Sequence, residues 1–399
     1  NQPFMFFKKN DNALLLSKKN EIVLVEKNSE LNKFELSERF YSKDNYFTET
    51  IQVGDYTYTI NNVIGRLECL DENLLLETPI KTSFPVYNTE YNPQNRVLYL
   101  FNRLSNANSG FFVYDLDNPM ISDFIEIDHP IGDLAYNSEL GHVLISEFSG
   151  GTTNASIRVF DANNGYNELS PILISNANYP SEIFCPPNGK IYISLNMLSD
   201  NVSPEVAILW SSDYNLENKV QSGLIENYGN NENKKKHYTS IMNFCFNPYN
   251  ESVYFTVTGN YSKYPPYQLS AISGYYQFYD ANQYPLSTYI DGKLREITKD
   301  NELALLSKNI TKPGEIICAK PDNPSKDYMG KLYINGEYLY SFDCESNQLS
   351  SSIANDIIDI DYNSKEDCLY MYEHEILELS DPDPDQQWIK IHKVSNENE

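Results

Sequence analysis

The chain has 399 residues with 56 acidic against 30 basic side chains, a formal net charge of -26, and an aromatic set dominated by 32 Tyr with only 2 Trp. That charge excludes a nucleic-acid backbone or an anionic membrane surface as partner, since binding phosphate needs a net basic face. No apolar run approaches the ~18 residues of a membrane-spanning helix, so no membrane insertion is expected. A chain of this length buries a large core, as two or three ordinary domains or as one large all-β assembly.

In chain order, ALLLSKK and EIVLVEK near the N-terminus read as strands, and an internal repeat follows. Its copies are VYNTEYNPQNRVLYLF from Val86, IGDLAYNSELGHVLIS from Ile131, PSEIFCPPNGKIYISL from Pro180, IMNFCFNPYNESVYFT from Ile241 and IIDIDYNSKEDCLYMY from Ile357. Each reads as a strand, a tight turn and a second strand. The turn begins at Asn92, Asn137, Pro186, Asn247 or Asn363, residue types that bond their own backbone or preset φ. Third strands follow at Phe111, Ser156, Val206 and Tyr275, three of them ending in aromatic-Asp (Tyr114-Asp115, Phe160-Asp161, Tyr279-Asp280). Fourth strands follow, such as DFIEID and PILIS, and helical periodicity is nearly absent.

Taking Asn88, Asp133, Glu182, Asn243 and Asp359 as anchors four positions before each turn, the intervals are 45, 49, 61 and 116 residues. The last is a double interval, which predicts a degenerate copy near residue 300, in or before ELALLSKN. Four-stranded units at a mean spacing of about 54 residues are the mark of a β-propeller. The fold expected is therefore all-β, a single propeller over 1–399 built of four-stranded antiparallel blades, seven in number with eight as the alternative. The blades fall at roughly 1–45, 46–83, 84–128, 129–177, 178–238, 239–298, 299–352 and 353–399, the first and last merged or adjoining where the ring closes.

The repeat, over roughly residues 84 to 393, resembles the superfamily of bacterial propellers that includes lactonase-like, NHL-type and surface-layer proteins, in which blades end in an aromatic-Asp turn. The resemblance implies the fold and hardly a function. The Gly-His and Trp-Asp pattern of WD repeats and the Ser-x-Asp-x-Gly-x-Thr-Trp repeat of sialidases are both missing.

In such a blade the first-to-second turn lies on one face; the second-to-third connection and the link to the next blade lie on the other. The former are short and uniform here, whereas the latter are long: NRLSNANSG from Asn102, FSGGTTNAS from Phe148, NMLSDNVSP from Asn196, the link Glu226 to Ser240, and the 17-residue stretch from Thr258 to Gly274. Long loops gathered on one face point to binding. The Thr258 to Gly274 loop sets Tyr261, Tyr264 and Tyr267 beside Pro265 and Pro266, a recognition surface for protein or a stacking platform for sugar; the alternative is that the rings cap the blade below. Lys234, Lys235 and Lys236, followed by His237, form the one basic run, an anchor for an acidic partner or a solvated linker.

The anchors raise a second reading. Asp133, Glu182 and Asp359, with Asn88 and Asn243, begin the innermost strands and could ring a channel that takes Ca²⁺; alternatively each bonds the neighbouring blade's backbone. The DPDPD run of Asp381, Asp383 and Asp385 reads as a turn. No GxSxG, Gly-rich phosphate loop or HExxH occurs, the five His are scattered, and the six Cys form no CxxC pair. Sequons at Asn154, Asn201, Asn250, Asn260 and Asn309, and a first residue other than Met, are compatible with export of a processed chain.

The expected function is a non-enzymatic interaction module, secreted or at the cell surface, that binds protein or glycan through its long loops, without cofactor, as a subunit of a larger assembly. The alternative is a lactonase-like or carbohydrate-active enzyme with a metal or carboxylate site at the channel.

Overall fold

The computed structural model describes the chain from Met5 to Ser395 except for 8–12, 29–32, 42–46, 62–65, 103–108, 149–153, 196–203, 228–234, 263–269, 278–290 and 375–388, and breaks of one to three residues elsewhere. Among the described residues the architecture is all-β, its one helical element a single 3-10 turn at Ala162–Asn164. No helix there is long and apolar enough to cross a membrane.

The chain divides into two compact units, Asn1–Thr89 with Glu315–Glu399, and Glu90–Gly314. Seven sheets carry four or five antiparallel strands. They begin at Met5, Phe47, Asn88, Ile131, Pro180, Ile225 and Ile316, and each is an up-and-down meander in chain order. Seven blades are thus in keeping with the structure. A three-stranded sheet, Ile357–Asn363, Cys368–His374 and Ile389–Ser395, follows; its first strand adjoins Met5–Phe7 in the same unit, while Met5–Phe7 pairs with Ala13–Lys18.

The second strands show why these segments fold as they do. In Val97–Phe101 all five residues are buried, and Lys190–Leu195 is buried at every position after its first. A strand flanked by two strands and covered on both faces must be apolar throughout, so it loses the alternation of a half-exposed sheet. Outer strands keep a solvent edge: Leu216–Gln221 alternates exposed and half-buried positions up to Val220. Face-to-face packing fills the seams. Val97, Tyr99 and Phe111 of the third sheet meet Leu134, Val143 and Phe160 of the fourth. Ala155 and Ile157 meet Ile191 and Ile193 of the fifth, and Val206 and Ile208 meet Val253 and Phe255 of the sixth. In the other unit Tyr333 and Leu339 pack on Ile360 and Leu369.

Two sequence expectations are corrected here. Tyr275 does not open the third strand of its blade: Tyr275–Gln277 pairs with Ser270–Ile272 as a separate two-stranded sheet, and the third strand is Asp291–Ile297. ELALLSKN is not a degenerate first strand either, because Leu303–Thr311 is the fourth strand of that same sheet. The long insertion after Ser262 displaces the outer strands downstream. The missing copy lies later, at Ile316–Cys318, Lys331–Ile334, Tyr338–Asp343 and Gln348–Asn355. It escaped the pattern because its first strand has three residues and its first connection, 319–330, replaces the tight Asn turn.

Candidate functional site

Within the Glu90–Gly314 unit the two ends of the sheets are built differently. At the end that holds the first-to-second turns, Asn92, Asn137 and Asn247 are buried, and their side-chain oxygens accept the N–H groups of Gln94, Glu139 and Tyr249. These are side-chain-closed turns of the kind Asn favours. The aromatic-Asp motif closes the third-to-fourth turn in the same way, Asp115 accepting from Asp117 and Asn118, and Asp161 from Asn163. Hydrogen bonds from Asn118 and Asp117 hold the Asp115 carboxyl below its ordinary range.

The same end is latched from sheet to sheet. Tyr166, Tyr214 and Asn301 take positive φ of 59°, 61° and 62° in the third-to-fourth turns of the fourth, fifth and sixth sheets. Each reaches the preceding sheet. The Tyr166 ring meets Tyr99 edge-on with centroids 6.1 Å apart. The Tyr214 hydroxyl lies 2.8 Å from His142 Nδ1 and accepts from Asn137 Nδ2 at 3.2 Å. Asn301 Oδ1 accepts from Lys190 Nζ at 2.6 Å. A left-handed non-glycine residue costs roughly 1–2 kcal/mol, which a latch of this kind offsets. Burial raises the Tyr99, Tyr166 and Tyr214 hydroxyls above the usual tyrosine range, so all three stay neutral. Burial likewise pushes the Cys185 thiol up, away from nucleophilic use. All six cysteines are free thiols.

At the opposite end Asp133, Glu182 and Asn243 link sheet to sheet. The first strands carry a bulge beside four of the five anchors, between Ile131 and Asp133, Pro180 and Ile183, Met242 and Cys245, and, in the other unit, Ile357 and Asp359. The Asp133 N–H donates to Ser146 Oγ at 2.7 Å and the Glu182 N–H to Ser194 Oγ at 2.8 Å. Each carboxylate then crosses to the next sheet. Asp133 Oδ2 accepts the Ile183 N–H at 3.0 Å, and Glu182 accepts the Asn243 and Phe244 N–H groups at 2.9 and 3.1 Å. Asn243 has φ +59°, which turns two successive amides toward Glu182. Of the two roles open to these side chains from sequence, bonding the neighbouring backbone is one they perform. Asp359 lies at the bulge opposite Tyr372; its side chain is outside the described residues. Among the described residues no three His, Cys, Asp or Glu groups gather as a metal site.

From this end projects the largest departure from the repeat. In the sixth sheet Ile225–Asn227 is an added strand, and the two that correspond to the first and second strands of the other sheets, Lys235–Asn247 and Ser252–Ser262, have 13 and 11 residues, against five to seven in the third to fifth sheets. Ile225–Asn227 pairs with the extension, making it three-stranded. Lys235 and Lys236 therefore lie in a strand and not in a linker, and Thr258 to Ser262 are strand and not loop. Lys236 is the register partner of both Glu226 and Tyr261. Lys234, Tyr264 and Tyr267 lie outside the described residues, as does the stretch 196–203. The signal for this extension was in the sequence: β-prone HYTSIMNFCF and SVYFTVTGNY run past the length of a blade strand.

No protein-family model matches the sequence, and no curated protein sequence does. Solved structures do. A chain of hydrazine synthase from Kuenenia stuttgartiensis superposes with TM-score 0.52 at 11% identity over 88% of this chain and 95% of that one. Sqt1 from Saccharomyces cerevisiae superposes with TM-score 0.55 at 10% identity over 83% and 80%. The β-propeller domain of Cps50 (Swd1) from Myceliophteria thermophila gives TM-score 0.49 at 10% identity over 89% and 97%. This chain is a β-propeller. At such identity the likeness concerns the fold alone, and the propeller fold serves many functions.

Proposed function

We propose that this propeller is a non-enzymatic interaction module that binds a protein partner through the loop-bearing end of its sheets, as a subunit of a larger assembly, secreted or displayed at the cell surface. The observation that carries the reading is the asymmetry between the two ends. One is closed by short turns bonded to themselves and to the next sheet. Within the Glu90–Gly314 unit the other bears the second-to-third connections, longer than those turns, and the three-stranded extension, where Lys236 and Tyr261 are cross-strand neighbours. Extensions that add nothing to a blade's own core are where binding is elaborated on a rigid scaffold. A Tyr beside a Lys in an otherwise acidic chain suits a protein surface with apolar and acidic groups.

The test is affinity capture and crosslinking from the source extract with the wild-type chain and with Lys236→Glu/Tyr261→Ala. Loss of the captured species in the variant, with the thermal midpoint unchanged, supports the reading; identical capture by both places the binding surface elsewhere. The enzymatic alternative, on the lactonase-like resemblance, would use Asp133 and Glu182. Turnover on a lactone and glycan panel that is lost in Asp133→Asn while folding is retained would favour it.

A further inference from the structure

At the end opposite the loops the fifth sheet departs from a pattern shared by three others. In the third, fourth and seventh sheets the last residue of the third strand is an Asp that pairs with the first residue of the second strand. Asp115 faces Val97 there, Asp161 faces His142, and Asp343 faces Lys331. Each of these aspartates closes the turn that follows it, as Asp343 does by accepting from Ser346. In the fifth sheet the residue at this position, paired with Lys190, is Trp210. The turn-closing role has moved to Asp213, which accepts the Asn215 N–H at 2.9 Å. Nothing in the turn therefore requires the Trp210 side chain, and 41% of its surface is exposed. Burying an indole is among the larger apolar gains a fold can make, and here it is forgone.

The ring is also held in place. Lys190 Nζ sits 5.2 Å from its centroid on one side. That ammonium is itself fixed by Asn301 Oδ1 at 2.6 Å, the Lys299 carbonyl at 3.3 Å and Glu217 Oε2 at 3.4 Å. The indole is thus backed by a cation whose charge Glu217 balances, with 41% of its surface open. A large aromatic held before contact loses little entropy on binding, which is the character of an interface hot spot. Around it the exposed charges are mainly acidic. Asp213 lies three residues on, and Asp300 and Glu302 flank the Asn301 that holds Lys190, with Lys299 the exposed cation of that turn.

We propose that Trp210 anchors a second docking surface, independent of the loop-bearing end, and that its occupant is a basic protein segment with an apolar residue at its centre. The apolar residue covers the indole, and flanking lysines or arginines meet Asp213, Asp300 and Glu302. The chain's overall charge of -26 favours approach of such a segment and disfavours an acidic one.

The experiment pans a random peptide library displayed on phage against the full chain and against its Trp210→Gln variant, then measures selected synthetic peptides by fluorescence anisotropy. Expected are peptides retained by the wild type and lost by the variant, net basic with an apolar centre, whose affinity falls with added salt and falls at least about tenfold in Trp210→Gln. Asp300→Lys/Glu302→Lys, which alters two exposed turn residues and leaves the indole in place, should weaken the same peptides and keeps the test valid if Trp210→Gln does not fold. The proposal is overturned if no Trp210-dependent peptide emerges, if those that emerge are acidic or uncharged, or if the charge reversal leaves their affinity unchanged.

Discussion

Replacing Glu182 with alanine removes the acceptor of two backbone amides on the next sheet, Asn243 N–H at 2.9 Å and Phe244 N–H at 3.1 Å. A hydrogen bond to a charged group contributes about 1.5–3 kcal/mol net, and an amide left unpaired in a buried place costs about 1–3 kcal/mol. Glu182 is half-buried, so water can reach part of the vacated site, and the low ends of both ranges apply. We expect a loss of about 2–4 kcal/mol at the seam between the fifth and sixth sheets. The assay is native-state hydrogen exchange, which reads the two amides individually and does not require the whole chain to unfold in one step. Both should exchange about 30-fold to 1,000-fold faster in Glu182→Ala, while amides of the third sheet such as Val113 are unchanged. If the Asn243 and Phe244 amides keep their wild-type protection, the carboxylate does not hold that seam and the structural role assigned to the anchors is wrong.

Three further outcomes follow from the same geometry. Gly132→Ala would set a Cβ 2.7 Å from the Pro180 carbonyl oxygen and from Ser146 Oγ, so the first strands of the fourth and fifth sheets must separate, at a cost of about 1–3 kcal/mol seen in the urea midpoint. Tyr214→Phe keeps the ring but removes the hydroxyl shared by His142 and Asn137; a fall of about 1–2 kcal/mol is expected, and less than a few tenths would show the latch to be idle. For Asp115 the folded pKa is depressed, by Asn118 first and then Asp117, so its contribution is present above the unfolded carboxylate pKa and is lost as pH falls through the folded one. Asp115→Asn should therefore narrow the difference in thermal midpoint between pH 7 and pH 3; a difference as wide as in the wild type would remove Asp115 from the acid response.

Much of the blade was legible because it repeats. The turn Asn, the apolar second strand and the aromatic-Asp ending recur at a spacing that a radial sheet requires, and each reflects a local rule: Asn92 and Asp115 bond amides two residues away, and Tyr99 or Tyr192 lies in a strand covered on both faces. Where one local rule failed, the reading failed with it. The copy at Ile316 lacks the repeat's pattern because of a three-residue first strand and a long first connection, and the insertion after Ser262 carries a strand at Tyr275 that belongs to a separate two-stranded sheet.

The sequence by itself determined the β class, the meander within each sheet and the asymmetry of connection lengths, because these depend on residues near one another along the chain. Only the tertiary structure decided what the anchors and odd residues touch. Asp133 finds Ile183 and Glu182 finds Asn243 across a seam of 50 to 61 residues, and Lys236 meets Tyr261 through strand register. Trp210 differs from the buried Ile208, two residues before it on the same face, by its place at the end of the strand. Those partners are set by face-to-face packing and register, and neither composition nor local pattern encodes which residue of the next sheet will stand opposite.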